Sequence, residues 1–199
     1  MDSENIEIFI NKFFCVKSDE ELNLDLVLPI ARRRLSRLDK YTLTVLNNVY
    51  SEDCENIIFS SKEGESERLK KIIEQYTEFK EVSPNIFTGS VHNYPAGFFL
   101  WNKQTSVPYN CLSAGNKSIS AGFLAAVCSE YNNTIYCYSD FKDGNTFSFG
   151  IGISHSSGFA KYKITFHNSE VEDNFEDYID LFQNKKSKIE TPFFIIERV

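Results

Sequence analysis

Two side chains in this sequence have the chemistry of a nucleophile and of a base, the thiol of Cys111 and the imidazole of His92. A cysteine attacks a carbonyl carbon once its thiol is ionised, and a neighbouring histidine can take up that proton. His92 stands in the segment Ser90-Val91-His92-Asn93, between two further hydrogen-bonding side chains. Cys111 lies in an apolar run, Val107 to Ser113, that predicts a strand, where a thiol more often packs as a small hydrophobic group. The pair is therefore one candidate for acyl-transfer chemistry, with a packing role for Cys111 as the alternative.

Three other motifs point away from common chemistries. The segment Ser154-His155-Ser156 has no Gly-x-Ser-x-Gly elbow of a serine hydrolase, and it predicts a turn at a strand end. Gly64-Glu65-Ser66 has one glycine and no Lys-Ser pair, so it does not match a phosphate-binding loop. The acidic run within residues 170–177 is typical of a solvated helix face, and a metal site would need oxygens from elsewhere in the fold. We therefore expect neither a metal nor a cofactor.

The overall composition limits the partners and the compartment. A formal net charge of -7 over 199 residues repels phosphate backbones, so nucleic acid is not an expected partner. The five cysteines form no Cys-x-x-Cys pair, and no basic and apolar leader is evident, so we expect free thiols in the cytoplasm. No apolar stretch reaches the roughly 18 residues that a membrane span needs. The length and the lack of linkers predict one domain over residues 1–199.

Hydrophobic periodicity and turn residues predict strands that alternate with helices, followed by adjacent strands. The predicted strands are Ile6–Val16, Glu55–Ser61, Val107–Ser113, Thr134–Ser139, Phe147–Ile153, Ala160–Phe166 and a terminal strand from Pro192. The predicted helices are Arg37–Tyr50, one that carries Leu69 to Tyr76, one that begins at Pro84 and breaks at Pro95, Ile119–Tyr131 and Glu170–Phe182. Ser36 and Asp39 have the spacing of a capping box, and Asp143-Gly144 is typical of a hairpin turn. The order predicts an α/β fold with a mixed sheet and helices on its faces.

Three stretches resemble, in their order and spacing, the β-ketoacyl synthase-like N-terminal domain family. They are Leu28–Ser36, Ile58–Glu65, and Ser83–Gly97 followed by Ser113–Gly122. The resemblance covers about residues 5–155 and implies a thiolase-like half-fold. Relatives of this kind occur in bacterial aryl polyene and flexirubin-type pigment clusters, often as chain-length-factor-like partners of a true ketosynthase.

The resemblance also implies where a catalytic group would stand. A working ketosynthase has a cysteine at a sharp strand-to-helix turn, where the helix N-terminus favours the thiolate. The matching turn here is Ser113-Ala114-Gly115-Asn116, and glycine has no side chain to acylate. A ketosynthase takes two further histidines from its second half, and the surroundings of His155 and His167 give no basis for those roles. We therefore expect no complete catalytic set.

The resemblance leaves a set of candidate binding residues around the turn. They are Ser90, His92, Asn93, Gly115 and Ser118. His92 has two interpretations: it bonds a carrier thioester or a partner's active-site loop, or it is a buried histidine that bonds the backbone and braces a helix break at Pro95. The sequence leaves both open.

The leading hypothesis is a non-catalytic, chain-length-factor-like subunit of fatty acid or polyketide biosynthesis that pairs with an active ketosynthase through the strand 107–112. One alternative is an acyltransferase or thioesterase-like enzyme that uses Cys111 with His92. Another is a self-associating binding protein, suggested by the unmatched region from His155 onward. An acyl carrier protein is a further possible partner, because Arg32-Arg33-Arg34 with Arg37 is a local basic cluster, although it is also typical of a solvated approach to a helix.

Overall fold

The structure is a computed structural model that describes residues 5–199, and its framework is one sheet with helices on both faces. The strands are β1 (Asn5–Lys17), β2 (Asn56–Ser60), β3 (Tyr109–Leu112), β4 (Asn133–Lys142), β5 (Asn145–Ser154), β6 (Ala160–Phe166), β7 (Lys188–Glu190) and β8 (Phe194–Arg198). The helices are α1 (Pro29–Arg32), α2 (Arg37–Val49), α3 (Ser66–Phe79), α4 (Pro84–Thr88), α5 (Tyr94–Lys103), α6 (Ser118–Val127) and α7 (Phe175–Phe182).

The sheet is mixed, with the strand order β3-β2-β4-β5-β1-β6-β8-β7. β2 runs parallel to β3 and to β4, and the remaining neighbours are antiparallel. All five residues of β2 are buried, as expected for a parallel strand covered on both faces. Within residues 5–199, β3 and β7 form the two edges of the sheet. Both hydrophobic cores pack on this one sheet. One domain over residues 1–199 stays a prediction.

Helix α2 covers one face of the sheet together with α5. A capping box fixes its start, because the Asp39 N–H donates to Ser36 Oγ and the Ser36 N–H donates to the Asp39 carboxylate, both at 2.9 Å. Gly150 on β5 allows the helix to approach closely, since a Cβ there would lie 2.5 Å from the Val45 side chain. The apolar side of α2 is therefore buried directly against the strands.

The opposite face of the sheet carries α6 and α7, with Phe123 of α6 at the centre of the packing. Phe123 is completely buried. Its ring centroid lies 5.3 Å from that of Phe194 on β8 and 6.3 Å from that of Tyr178 on α7. Phe123 of α6 is thus enclosed by elements from the last part of the same chain.

Two turn signals in the sequence, Asp143-Gly144 and Pro95, lie where one helix or strand ends and the next begins. Asp143 and Gly144 both have positive φ (52° and 79°) and connect β4 to β5, which confirms the predicted hairpin. The predicted helix break exists, but it lies at residues 89–93, between α4 and α5, and not at Pro95. Pro95 stands in the first turn of α5, where the missing N–H of proline has no intrahelical partner to lose.

Several element ends differ from the prediction. α4 ends at Thr88, so Val91 lies in the turn before α5 and outside both helices. α6 ends at Val127, four residues before the predicted end, and α7 begins at Phe175. The short strand β7 has no counterpart in the prediction. The other predicted strands and helices are confirmed, with boundaries that shift by a few residues.

Replacing Phe123 with alanine is expected to lower the free energy of unfolding by about 3–5 kcal/mol, because the substitution leaves a cavity between the sheet, α6 and α7. The same substitution at Phe87, which is 60% exposed, serves as the control and should change stability by less than about 0.5 kcal/mol. Urea denaturation measures both. Equal effects would show that α6 is not enclosed in solution.

Candidate functional site

The turn between β3 and α6 is closed by the buried side chain of Ser118. Its Oγ accepts the Ala114 N–H at 2.9 Å and donates to the Gly115 carbonyl at 2.8 Å. Ser118 is only 1% exposed, so it is not available to a ligand at the surface. These two hydrogen bonds show that Ser118 holds the turn in place.

Gly115 stands at the outer point of this turn and is exposed. Its φ of +56° lies in the left-handed region, which glycine adopts without strain. A Cβ built at Gly115 would have nothing within 4 Å. The turn therefore has room for a side chain, and what it lacks is a reactive group.

The N-terminus of α6 is already occupied by a carboxylate of the chain, that of Asp173. Asp173 Oδ2 accepts the Ser120 N–H at 2.8 Å and the Ser120 hydroxyl at 3.1 Å, and Tyr178 donates to Oδ1 at 3.2 Å. Burial raises the pKa of Asp173, and the bonds from Ser120 and Tyr178 oppose that rise by favouring the ionised form. This negative charge offsets the positive end of the helix dipole at the place where a thiol would need it.

His92 lies beside the turn but is committed to the backbone. Its Nε2 is 3.1 Å from the carbonyl of Leu112, the last residue of β3, and its ring centroid is 5.4 Å from that of Phe59. A Cβ built at Gly64 would lie 3.0 Å from Nδ1, so the glycine leaves space for the ring. Burial lowers the pKa of His92. These contacts match the backbone-bonded histidine of the two interpretations: His92 is half-buried and lies in the break between α4 and α5, ahead of Pro95.

The two polar neighbours of His92 in sequence have separate partners. Ser90 Oγ donates to the Phe87 carbonyl at 2.8 Å, within the end of α4. Asn93 is exposed, and its Nδ2 is 3.5 Å from the hydroxyl of Tyr109 on β3. The five candidate residues thus have separate partners, in α4, at the two ends of β3 and in the turn, and they share no common point of contact. Their binding role stays a prediction.

Cys111 is held in surroundings that disfavour a thiolate. It packs with the core on the α2 and α5 side of the sheet, whereas the next residue, Leu112, packs with the core around α6. Burial raises the pKa of the Cys111 thiol to about 12. The thiol is therefore protonated at neutral pH and lies in the strand before the turn.

A large cleft, which the sequence did not indicate, opens beside Gly115. Its volume is about 990 Å³, and it lies between the turn, the end of β1, the β4–β5 hairpin and the segment 172–176. Asp140 at its base accepts the N–H groups of Lys62 and Glu63 (3.0 and 3.2 Å) and the hydroxyl of Tyr138 (2.8 Å). The carboxylate thereby connects the loop after β2 to the end of β4. Lys62 and Glu63 lie 78 and 77 residues before Asp140, so sequence spacing could not reveal this connection.

An apolar surface on α3 and α4 is the second feature that the sequence did not reveal. We define the α3–α4 apolar face as Leu69, Ile73, Tyr76 and Phe79 on α3 together with Phe87 on α4. These side chains are 52–63% exposed. Helical periodicity predicted an apolar stripe here, but periodicity does not tell whether a partner covers the stripe. Contiguous exposed apolar surface of this kind marks an interaction site.

No group of three or more histidine, cysteine, aspartate or glutamate residues is arranged to hold a metal ion within residues 5–199. No helix of the same range combines the length and the apolar character needed to cross a bilayer.

Alkylation of the cysteines is expected to spare Cys111. Because its pKa is raised to about 12, its thiolate fraction at neutral pH is very small, and iodoacetamide should modify it at least about tenfold more slowly than the exposed Cys128. Peptide mass spectrometry over time measures both rates in one sample. Modification of Cys111 at the rate of Cys128 or faster would revive the nucleophile hypothesis.

A thiol introduced at the turn is expected to remain unactivated. In Gly115→Cys, the new thiol should keep a pKa near the free value of about 8.5, because Asp173 offsets the helix dipole. Adding Asp173→Asn keeps an oxygen for the Ser120 N–H and removes the charge, so the thiol pKa should fall and alkylation should become several-fold faster. A thiolate already formed at about pH 6 in the single variant would contradict this account.

Comparison with known proteins places this geometry in a family. The model of the β-ketoacyl synthase N-terminal domain matches residues 11–136, which is more than half of the chain. No curated protein sequence matches. A solved ketosynthase (ApeO) in complex with its chain length factor (ApeC), from Xenorhabdus doucetiae, contains a chain that aligns at a TM-score of 0.75 and 15% identity, over 97% of this chain and 100% of that one.

A second solved structure, the ishigamide ketosynthase/chain length factor, aligns at a TM-score of 0.57 and 9% identity, over 70% of this chain and 49% of that one. At these identities the likeness concerns the fold, and it confirms an α/β, thiolase-like half-fold with a mixed sheet and helices on both faces. Together with the match over residues 11–136, this shows that the chain belongs to the family of β-ketoacyl synthase N-terminal domains.

Proposed function

We propose that this chain is a non-catalytic, chain-length-factor-like subunit that pairs with an active ketosynthase in the cytoplasm. The reaction it serves is the assembly of a fatty acid or polyketide chain of the aryl polyene type. The observation that carries the proposal is the exposed Gly115, a ketosynthase-like turn that has space for a nucleophile and no atom to be acylated. The Asp173 carboxylate at the same helix end supports it.

The size of the matched chain also supports a subunit role. The alignment with a chain of the Xenorhabdus doucetiae complex includes all of that chain and 97% of the present one. The two chains are therefore of nearly equal length. A chain of this size therefore occurs in a complex between a ketosynthase and a chain length factor. By analogy, we infer that the present chain completes its site through a partner chain.

The edge strand β3 and the α3–α4 apolar face are the surfaces that we assign to the partner. β3 is paired with β2 on one side, and its other edge has no neighbour within residues 5–199. An unpaired strand edge and a group of exposed apolar side chains are each surfaces that favour association. β3 leads directly into the turn at Gly115, so a partner bound along this strand would face the turn. The open space at Gly115 then leaves room for substrate held by the partner.

We place a carrier protein at the basic segment before α2. Arg33 and Arg34 are exposed there, next to Leu28 and Ile30, which are 70% and 73% exposed. Acyl carrier proteins are acidic, and a local basic patch with apolar neighbours suits such a partner despite the net charge of -7.

The pairing is tested by co-expression with a ketosynthase from the same organism, followed by affinity measurement. Phe87→Asp places a charge in the α3–α4 apolar face and should weaken binding at least about tenfold, or about 1.4 kcal/mol. Phe159→Asp is the matched control, because Phe159 is 61% exposed, close to the 60% of Phe87, and precedes β6, which four strands separate from β3. It should leave the affinity unchanged.

Three outcomes separate this proposal from its alternatives. A complex that is sensitive to Phe87→Asp alone supports it. A homodimer that excludes the ketosynthase would favour a self-associating protein. A monomer that binds no ketosynthase, as measured by light scattering, would contradict the proposal altogether.

A further inference from the structure

A buried cluster of two carboxylates and one arginine lies at the base of α3. Arg68 Nη2 is 2.8 Å from Asp39 Oδ2, and Arg68 Nε is 3.4 Å from Glu65 Oε2. The side chains of Asp39 and Glu65 are 0% and 3% exposed, and that of Arg68 is 12% exposed. Glu65 immediately precedes α3, whereas Asp39 belongs to α2. The cluster therefore joins two helices through charge.

Arg68 also connects the segment that follows α4. Its Nη1 donates to the Gly89 carbonyl at 2.5 Å, and its Nη2 donates to the Arg34 carbonyl at 2.7 Å. The guanidinium lies 5.5 Å from the ring centroid of Tyr94 on α5. A Cβ at Gly89 would stand 2.1 Å from Nη1, so only glycine allows this approach. One side chain thus fixes α3 to the rest of the protein.

The charges in the cluster do not balance when both carboxyl groups are ionised. One guanidinium then faces two carboxylates, which leaves a buried negative charge. In addition, Asp39 Oδ1 is buried and has no hydrogen-bond partner among the described residues. Ser36 Oγ already donates to Glu65 Oε1 at 2.6 Å, and the Ser36 N–H donates to Asp39 Oδ2. A single proton kept by the carboxyl pair brings the charge to zero and supplies the missing donor.

The surroundings favour that proton on Glu65. Burial, followed by the negative charge of Asp39, raises the pKa of Glu65 to about 7, against the opposing effects of Ser36 and Arg68. Burial also raises the pKa of Asp39. The other charged or titratable groups that face the cluster are Arg34, before α2, and Tyr94, whose own pKa is raised by burial.

Little else holds α3 in place. Within the described residues, every residue of α3 is half-buried or exposed, and Arg68 is held in the cluster by its side chain alone. The apolar side of α3 belongs to the exposed α3–α4 apolar face. Segments with few buried apolar contacts open locally at low free-energy cost. The strength of the cluster at its base therefore governs how firmly α3 is held.

We propose that Asp39, Glu65 and Arg68 form a proton-sensitive latch. The latch holds α3 against the rest of the protein while the carboxyl pair keeps one proton, and it releases α3 when that proton leaves. The sign follows from linkage. In the open state Glu65 titrates near its ordinary value of 4.5, and in the closed state near 7. The closed state therefore gains stability from its proton below about pH 4.5 and loses that gain as the pH rises to about 7.

Hydrogen–deuterium exchange of the isolated chain tests the latch without any partner. After correction for intrinsic exchange rates, protection of the amides in α3 should fall by about tenfold or more between pH 5.5 and 7.5. In Glu65→Gln the amide can bond both Asp39 and Ser36 without titrating, so protection should not vary with pH. Glu74→Gln, at an exposed carboxylate on the same helix, should behave as the unmodified chain does.

Two results would overturn the latch: pH-independent protection in the unmodified chain, or an equal loss of protection in Glu65→Gln. If Glu65→Gln fails to fold, infrared spectra of the unmodified chain with labelled glutamate decide the matter, because a protonated carboxyl band must persist at about pH 6 and vanish by about pH 8.5. Any effect of the latch on ketosynthase binding rests on the proposed function. The exchange experiment stands apart from it, so either idea can fail alone.

Discussion

The close packing of α6 on the sheet is the constraint on which the rest of the structure depends. Gly122 of α6 faces β2 and β4 so closely that an added Cβ would lie 2.5 Å from Ser60 Oγ and 2.6 Å from the Tyr136 ring. The Tyr136 hydroxyl donates to the Ile119 carbonyl at 2.8 Å, which fixes the helix along its axis as well. Because α6 is held at this distance, the turn that precedes it has a single position at the carboxyl end of β3.

The two sides of the molecule differ in how firmly they are built. On the α6 side, aromatic side chains from the sheet and α7 enclose Phe123, so this half-fold covers its own central helix. On the other side, α3 is attached through the guanidinium of Arg68 and presents apolar side chains to solvent. A rigid turn next to a loosely held apolar helix is the arrangement expected of a subunit whose shape is fixed and whose docking surface adapts.

The sequence predicted most of the elements, because periodicity, the capping box at Ser36 and the Asp143-Gly144 turn are local signals. It also located the turn at Gly115, through the family resemblance. The features that it missed are products of tertiary structure. Asp173 reaches Ser120 across 53 residues, and the exposure of the α3–α4 apolar face depends on which surface lacks a neighbour. Pro95 was misread because a proline signals either a helix start or a helix break, and only the following turns decide between them.

In the proposed complex with a ketosynthase, the charge at the turn limits what this chain would contribute to the partner's reaction. A helix N-terminus with free N–H groups attracts anions, and it would serve an oxyanion or the carboxylate of an extender unit. Here Asp173 has already taken the N–H of Ser120 and supplies a negative charge of its own. A second anion would be repelled from this position, so in the proposed complex we expect stabilisation of developing negative charge to come from the ketosynthase. On that proposal the contribution of this chain is steric, since the open space at Gly115 and the surfaces that border it would set the length and course of an acyl chain held by the partner.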